Sequence, residues 1–246
     1  MCGCTHSMER KLLMAFDGLR KKVFLDRYAL RAEDGTVVEA TPEHMWRRVA
    51  RGVAQVEEPK NRAHWEDVFY GALEDFKFVP GGRILSGAGT GHDVTYYNCF
   101  VIPSPEDSRE GIIKNLGIMV DLMARGGGVG VNLSSLRPRG SYIKTVNGRS
   151  SGPCSWAELY SVATGDVIQQ GGTRRGALML MLNDDHPDIE EFISVKRDLK
   201  RLNHANLSVC VSDSFMQAVK ADGPWDLKWD GKVLRTIKAE IGRAHV

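Results

Sequence analysis

The sequence predicts an α/β fold preceded by a helical lobe. Apolar residues recur at helical spacing through residues 9–76. Proline and paired glycines then interrupt this pattern at residues 78–83. Beyond residue 97, short apolar strands alternate with helical segments, a pattern typical of crossover units and a parallel sheet.

The helical lobe is predicted from three amphipathic segments. They cover residues 9–22, 41–57 and 62–76. The second segment opens on Thr41 and Pro42, an N-cap residue followed by proline at the first helical position. The third should bury one apolar side, formed by Trp65, Val68, Phe69 and Leu73.

The α/β part is predicted from four apolar strands and the helices between and after them. The strands cover residues 97–102, 128–133, 177–182 and 206–211, and the helices cover 107–125, 155–170, 187–200 and 213–219. The strand cores are apolar at successive positions, so we expect helices or a barrel interior to cover both faces of the sheet. This pattern leaves an open doubly wound sheet and half of a barrel equally possible. A further hairpin strand is predicted at 225–229.

These patterns predict the domain organisation, with a boundary near Pro80. The expected parts are a poorly defined segment 1–23, a helical domain 24–79, an α/β domain 80–239 and a tail 240–246. DNA encoding the tail reads like a widely used sequencing adapter, so we expect the tail to be non-native.

Composition limits the classes of partner. A net charge of +2, from 33 basic and 31 acidic residues, excludes a generic binder of nucleic acid. Five cysteines, an odd number without regular spacing, favour a reducing cytosol. No apolar run has membrane-spanning length, and the N-terminus lacks a secretion signal. We expect a cytoplasmic protein with no membrane partner.

Cys99 is the leading candidate for chemistry. It lies centrally in the apolar and aromatic segment YYNCFVIP (96–103), which predicts a thiol held rigidly inside the fold. The adjacent Asn98 amide offers donors and an acceptor. The alternative is that Cys99 is simply a small packing residue.

The other cysteines and the histidines give no comparable signal. Cys154 and Cys210 are interpreted as packing residues in a helix start and an apolar strand. The N-terminal segment CGCTH (2–6) lacks the fourth ligand of a closed tetrahedral site, so we predict no metal site. His186 and His204 have no metal-ligand spacing.

Two glycine-rich segments and one capping sequence are candidates for nucleotide binding. GGGVG (126–130) follows a helix and opens a strand, which is the reverse of a dinucleotide-binding fingerprint. One of its glycines is explained as a helix C-cap, and the others indicate close approach to the backbone. QQGGTRRGA (169–177) is either a turn with solvated arginines or a loop that reads a base. In DSRE (107–110), Asp107 is the expected N-cap, and the same helix start could bind an anion.

Together with LRPRGS (136–141), these segments resemble the catalytic chain of ribonucleotide reductase, most closely its adenosylcobalamin-dependent class. The resemblance implies helices followed by the first half of a ten-stranded α/β barrel. It implies that Cys99 is one of two thiols that reduce the ribose. Residues implied at the substrate are Ser86, Asn98, Gln170 and Arg174. Residues implied at a deoxynucleotide effector are Asp107 and Ser108 near its sugar and Arg137 at its phosphates, with Arg139 ranked lower.

The resemblance further implies adenosylcobalamin as cofactor, a thioredoxin-like reductant and a homodimer in the full-length protein. It places the radical cysteine and the second redox cysteine outside these 246 residues, so we expect the polypeptide to be inactive alone. Two alternatives remain open. One is the iron-dependent class of the same superfamily, and the other is a non-catalytic nucleotide-binding module that would tolerate Cys99→Ser.

Overall fold

The computed structural model describes residues 16–167, 176–198 and 201–242. It divides the chain into two compact units, Met1–Tyr97 and Asn98–Val246. This division lies after residue 97, whereas the sequence predicts a domain boundary near Pro80. Leu85 and Ala88, beyond that predicted boundary, are buried in the core of the first unit. None of the described helices is long and apolar enough to cross a membrane.

The first unit is helical. Its helices are α1 (Gly18–Arg27), α2 (Pro42–Ala54), α3 (Arg62–Leu73) and α4 (Gly82–Gly87), with 3₁₀ turns at Pro59–Asn61 and Glu74–Phe76. Helix α2 begins at Pro42 after Thr41, as predicted. The core of the unit contains Phe24, Met45, Trp46, Val49, Ala50, Leu73, Leu85 and Ala88.

Three features of this unit differ from the prediction. The first described helix spans Gly18–Arg27 and extends past the predicted end at residue 22, while residues 9–15 of the predicted segment lie outside the described residues. In α3, Leu73 is buried but Val68 is exposed, and Trp65 stacks on Phe69 instead of entering the core. The predicted turn at 78–83 is shorter than expected, because Gly82 and Arg83 already belong to the short helix α4, which buries Leu85 in the core.

The second unit contains a parallel sheet with helical crossovers. Its strands are β1 (Cys99–Val101), β2 (Gly128–Asn132), β5 (Leu178–Asn183) and β6 (Asn206–Cys210), and the helices between them are α5 (Arg109–Ala124), α6 (Pro153–Val162) and α7 (Ile189–Ser194). The described strands lie in the order β1-β2-β5-β6, which is also their order along the chain. A doubly wound sheet reverses its order at a switch point, so the described sheet is singly wound, as the strands of a barrel are.

Two antiparallel hairpins complete the unit. A short one pairs β3 (Tyr142–Ile143) with β4 (Gly148–Arg149), and a longer one pairs β7 (Pro224–Trp229) with β8 (Lys232–Lys238) after helix α8 (Asp213–Ala221). The 3₁₀ turn Ala239–Gly242 follows, where Ile241 packs against Phe215 and Val219. The non-native origin of residues 240–246 stays a prediction.

The two faces of the parallel sheet differ. One face packs against the helices and contains Val131, Leu180 and Leu182, which have no exposed surface. Alternation and strand register place the remaining residues on the other face. We call it the open face; its residues are Cys99, Val101, Gly128, Gly130, Asn132, Met179, Met181, Asn183, Asn206, Ser208 and Cys210. Val101 on this face is 82% exposed, so the described residues do not cover the open face at strand β1.

Candidate functional site

Cys99 is the first residue of β1, and its thiol is exposed on the open face. This corrects the prediction of a thiol inside the fold. Two features explain the exposure. Strand β1 is an edge of the described sheet, and its only described neighbour, β2, presents Gly128 directly beside Cys99. The thiol is therefore accessible to a molecule that lies against the sheet.

The glycines of segment 126–130 occur for different physical reasons. Gly126 follows α5 with a φ of +92°, a conformation that favours glycine at a helix end. At Gly127, a Cβ would lie 2.7 Å from the Phe100 ring, so packing requires the glycine. At Gly130, by contrast, the nearest atom to a Cβ would be 3.6 Å away, on Met181. Packing within the chain does not require a glycine at 130, which leaves bare backbone near Cys99.

The structure describes two of the residues implied at the substrate, Asn98 and Ser86. Both also take part in hydrogen bonds with the backbone. The Asn98 carbonyl accepts a hydrogen bond from the Gly128 amide at 2.8 Å, which sets the register beside Cys99, and its side chain is exposed. The Ser86 hydroxyl in α4 donates to the Gly82 carbonyl at 2.9 Å. Ser86 would have to give up this bond to donate to a phosphate. Gln170 and Arg174 lie outside the described residues.

The remaining described cysteines differ from each other. Cys154 is fully buried, and burial raises its pKa to about 12, so it is a packing residue as predicted. Cys210, also predicted to be core, instead lies half-buried on the open face, where Asn132 Nδ2 donates to its sulfur at 3.7 Å. Cys99 and Cys210 lie on opposite edges of the described sheet, three strand spacings or roughly 14 Å apart across the sheet, and the register separates them further along the strands. This exceeds the reach of a disulfide, about 7 Å between Cα atoms.

A second candidate site is a groove of about 1050 Å³ between the start of α5 and the β3–β4 hairpin. Asp107, Ser108 and Arg137, the three residues implied at an effector, all line it. Its charged lining residues are the basic Arg109, Arg137, Lys144 and Arg149 and the acidic Asp107 and Glu110. Four positive charges against two negative charges favour an anionic ligand.

Ser108, and not Asp107, is the N-cap of α5. Its hydroxyl accepts a hydrogen bond from the Gly111 amide at 2.9 Å. The close turn before the helix also explains Gly111, where a Cβ would lie 2.6 Å from Glu106 Cβ. The prediction of Asp107 as N-cap is wrong because its carboxylate has another partner.

That partner is Arg137. Its Nε donates to Asp107 Oδ2 at 2.7 Å, its backbone amide donates to Oδ1 at 3.1 Å, and its Nη2 donates to the Asp107 carbonyl at 3.1 Å. The guanidinium is thereby held in one orientation at the groove. The Arg137 guanidinium therefore needs no reorientation to bind an anion in the groove.

Arg139 has a structural role. Its guanidinium pairs with Glu191 through Nε and Nη2 at 2.9 and 2.7 Å, and its amide donates to Asp188. The hydrogen bond to Glu191 raises the pKa of Arg139. These contacts support the lower rank of Arg139 as a phosphate ligand.

The turn at 163–167, which precedes segment 169–177, has a contact that the sequence did not predict. Helix α6 continues into a π-helical turn, Ala163–Val167. There, a Cβ on Gly165 would lie 2.1 Å from Cγ of His204, so the imidazole ring rests on the glycine backbone. The His204 amide also donates to Ser161 Oγ at 3.1 Å. The available signal was a glycine inside a predicted helix, which often has a packing reason.

Comparisons with known families cover almost the whole chain. Residues 14–93 match the family model described as "Ribonucleotide reductase, all-alpha domain". Residues 97–244 match the model described as "Ribonucleotide reductase, barrel domain". The gap between the two matches, residues 94–96, lies just before the division between the structural units after Tyr97.

Similar individual proteins carry related names. The chain is 40% identical over 205 residues to a vitamin B12-dependent ribonucleoside-diphosphate reductase of Mycobacterium tuberculosis H37Rv, covering 82% of this chain and 28% of that protein. A protein of the same name from Thermoplasma acidophilum is 31% identical over 297 residues, covering 94% and 38%. The ribonucleoside-diphosphate reductase large subunit of Arabidopsis thaliana is 30% identical over 212 residues, covering 82% and 24%.

The chain thus spans well under half the length of these relatives. Its helical unit and parallel sheet correspond in order to the two matched domains, which confirms the predicted fold class. The chain belongs to the ribonucleotide reductase family, of which it carries the all-alpha domain and the start of the barrel domain.

Proposed function

We propose that the protein containing this chain reduces ribonucleotides to 2′-deoxyribonucleotides for DNA synthesis, with Cys99 as one of two reducing thiols. The observation that supports this most strongly is the exposed Cys99 thiol on the open face, beside the bare backbone of Gly128 and Gly130. Within this family, an accessible thiol on a rigid strand is suited to reach a bound sugar.

The proposed reaction is a two-electron reduction. The C2′–OH bond of the ribose breaks, a C2′–H bond forms, and the hydroxyl leaves as water. Two thiols supply the two electrons and two hydrogens and end as one disulfide. Cys99 is the only one of these thiols that we assign, since Cys154 is buried and Cys210 is too distant across the sheet.

We propose that the substrate lies along the open face. Gly128 and Gly130 place no side chain between Cys99 and the rest of that face, and Asn98 offers an amide next to the thiol. Ser86, Gln170 and Arg174 remain proposed substrate residues by resemblance.

The groove at α5 is proposed to bind a deoxynucleotide effector. Its excess of basic residues suits a polyphosphate, and Arg137 is already oriented by Asp107. Hydroxyl and carboxylate groups at a helix start suit sugar hydroxyls, which supports Ser108 and Asp107 as sugar ligands. A homodimer and a thioredoxin-like reductant complete the proposal.

The proposed cofactor is adenosylcobalamin, which would supply the radical that starts the reaction. Support comes from the Mycobacterium and Thermoplasma relatives, both named as vitamin B12-dependent. Among the described residues, no group of three His, Cys, Asp or Glu side chains could hold a metal ion, so we assign no residue of this chain to the cobalt. The iron-dependent class is the alternative, and dependence of full-length activity on added adenosylcobalamin distinguishes the two.

Substitution of Cys99 tests the proposal. In the full-length protein, Cys99→Ser should abolish deoxynucleotide formation while leaving nucleotide binding intact, because the serine hydroxyl cannot supply an electron. Cys210→Ser is the matched control, since it alters another open-face thiol and should retain activity. A Cys99→Ser protein that still forms deoxynucleotide would refute the role of this thiol. A wild-type protein that binds nucleotide without any reductase activity would favour a non-catalytic binding module.

A further inference from the structure

A buried ion pair lies in the helical unit, away from the residues assigned above. Arg48 in α2 and Glu39 before it have side chains only 9% and 5% exposed. Arg48 Nε and Nη2 donate to the two Glu39 carboxylate oxygens at 2.6 and 3.0 Å. Burying two charges is costly, and such a pair is stable only when further hydrogen bonds satisfy both groups.

Two further hydrogen bonds of Arg48 go to the segment that contains Ser86, and Nη2 also donates to the Tyr28 carbonyl at 3.4 Å. Nη1 donates to the Ala88 carbonyl at 2.5 Å, and Nη2 donates to the Leu85 carbonyl at 2.9 Å. Both acceptors lie at the carboxyl end of α4, where helix carbonyls lack partners within the helix. One guanidinium therefore joins α2, Glu39 and the end of α4.

The backbone after α4 also rests directly on α2. Gly89 has a φ of +73°, and a Cβ there would lie 2.6 Å from the Arg48 carbonyl oxygen. A Cβ on Gly52, one turn further along α2, would lie 2.5 Å from the Gly89 nitrogen. This close approach leaves the segment little freedom once Arg48 has bound its carbonyls.

We propose that Arg48, oriented by Glu39, is a positioning residue for segment 80–90, PGGRILSGAGT, which contains Ser86. The inference rests on the proposed function, since the resemblance assigns Ser86 to the substrate phosphate. Ser86 lies between the two carbonyls that Arg48 holds, so movement of the α4 end moves Ser86 with it. Lysine cannot replace the planar fork that reaches the carboxylate and both carbonyls together.

Hydrogen exchange on the 246-residue chain tests the positioning itself. Arg48→Lys should accelerate exchange of the Ala88 and Thr90 amides, which bond to carbonyls within α4 and its end, by about tenfold. Arg47→Lys is the matched control, because Arg47 is the neighbouring residue in α2 but lies at the surface, on Asp67 and the Tyr70 ring. Equal exchange in both variants, or a uniform acceleration that includes α3, would overturn the proposal.

Kinetics of the full-length protein test the consequence for substrate. Arg48→Lys should raise KM for the ribonucleotide about tenfold while changing kcat by less than about twofold, and Arg47→Lys should change neither. An unchanged KM in Arg48→Lys would contradict a role in substrate positioning. Absence of ribonucleotide reduction in the wild type would instead refute the proposed function, and the exchange result would still decide whether Arg48 holds the segment.

Discussion

The three described cysteines show how one position in a strand or helix decides the chemistry open to a thiol. Cys99 is exposed on the open face, Cys210 lies half-buried on the same face, and Cys154 is enclosed in the core. A thiol reacts as its thiolate, so both access and pKa control its reactivity. Burial raises the pKa of Cys154 to about 12, which leaves very little thiolate at neutral pH.

We expect alkylation of the native chain by iodoacetamide to follow this order. Cys99 should react fastest, Cys210 more slowly, and Cys154 only after unfolding. Mass spectrometry of tryptic peptides at successive times measures the three rates. Labelling of Cys154 at the rate of Cys99 in the native chain would show that the thiol is not enclosed.

His186 provides a pH-dependent contribution to stability. It is buried, its Nε2–H donates to the Leu136 carbonyl at 2.9 Å, and its Nδ1 accepts from the Asp188 amide at 3.1 Å. Burial lowers the pKa of His186 in the folded state. The unfolded chain therefore takes up this proton first, and stability is lost as pH falls below the unfolded value of about 6.5.

The free energy of unfolding, measured in urea, should consequently fall between pH 8 and pH 5.5. His186→Gln should flatten that dependence, because it removes the group that takes up the proton. His44→Gln, at an exposed position in α2, serves as the control and should keep the wild-type slope. The same slope in His186→Gln and in the wild type would assign the pH dependence to other groups.

At the scale of elements, two glycines inside helical segments are present for different reasons: one has free space around it, and the other is required by packing. At Gly117 in α5, an added Cβ would have no atom within 4 Å, whereas Gly165 in the π-helical turn lies against the His204 ring. Alanine normally stabilises an exposed helix position relative to glycine by about 1 kcal/mol. The sign of the same substitution should therefore differ between these two positions.

Gly117→Ala should raise the free energy of unfolding by about 0.5–1 kcal/mol. Gly165→Ala should lower it by about 1–3 kcal/mol, because the imidazole must move to admit the methyl group. The double variant Gly165→Ala/His204→Ala should regain part of the loss. Chemical denaturation of the wild type and the three variants measures these values, and a stabilising Gly165→Ala would refute the contact.

The elements also show what could be predicted from the sequence. Helix α2, helix α5 and the four parallel strands could be predicted because apolar residues recur at helical spacing in the helices and at successive positions in the strands. Helix α4 was missed because its glycine-rich sequence resembles a turn, and only burial of Leu85 in the helical core explains its winding. The cap of α5 was misplaced by one residue because the Asp107 carboxylate binds Arg137, 30 positions away.

At the scale of the whole molecule, the second unit has one packed and one open sheet face. Leu180 has no exposed surface and packs with the helices, while Val101 is 82% exposed on the open face. Burial of an aliphatic side chain contributes about 1.5–3 kcal/mol, and an enclosed site adds the cost of a cavity when the side chain is truncated. Substitutions on the two faces should therefore have very different effects.

Leu180→Ala should lower the free energy of unfolding by about 2–5 kcal/mol. Val101→Thr should change it by less than about 0.5 kcal/mol, since its side chain buries little surface. Urea denaturation followed by circular dichroism compares the two variants. A large loss in Val101→Thr would indicate that the open face is covered in solution.

The sequence by itself determined the family, the order of helices and strands, and Cys99 and Arg137 as candidate residues, because short motifs and local periodicity carry that information. The tertiary structure alone decided which face of the sheet holds Cys99, that Asp107 orients Arg137, and that Arg48 holds the end of α4. The two side-chain contacts join residues 30 or more positions apart, and the position of Cys99 depends on strand register. Local sequence pattern determines neither long-range contacts nor register.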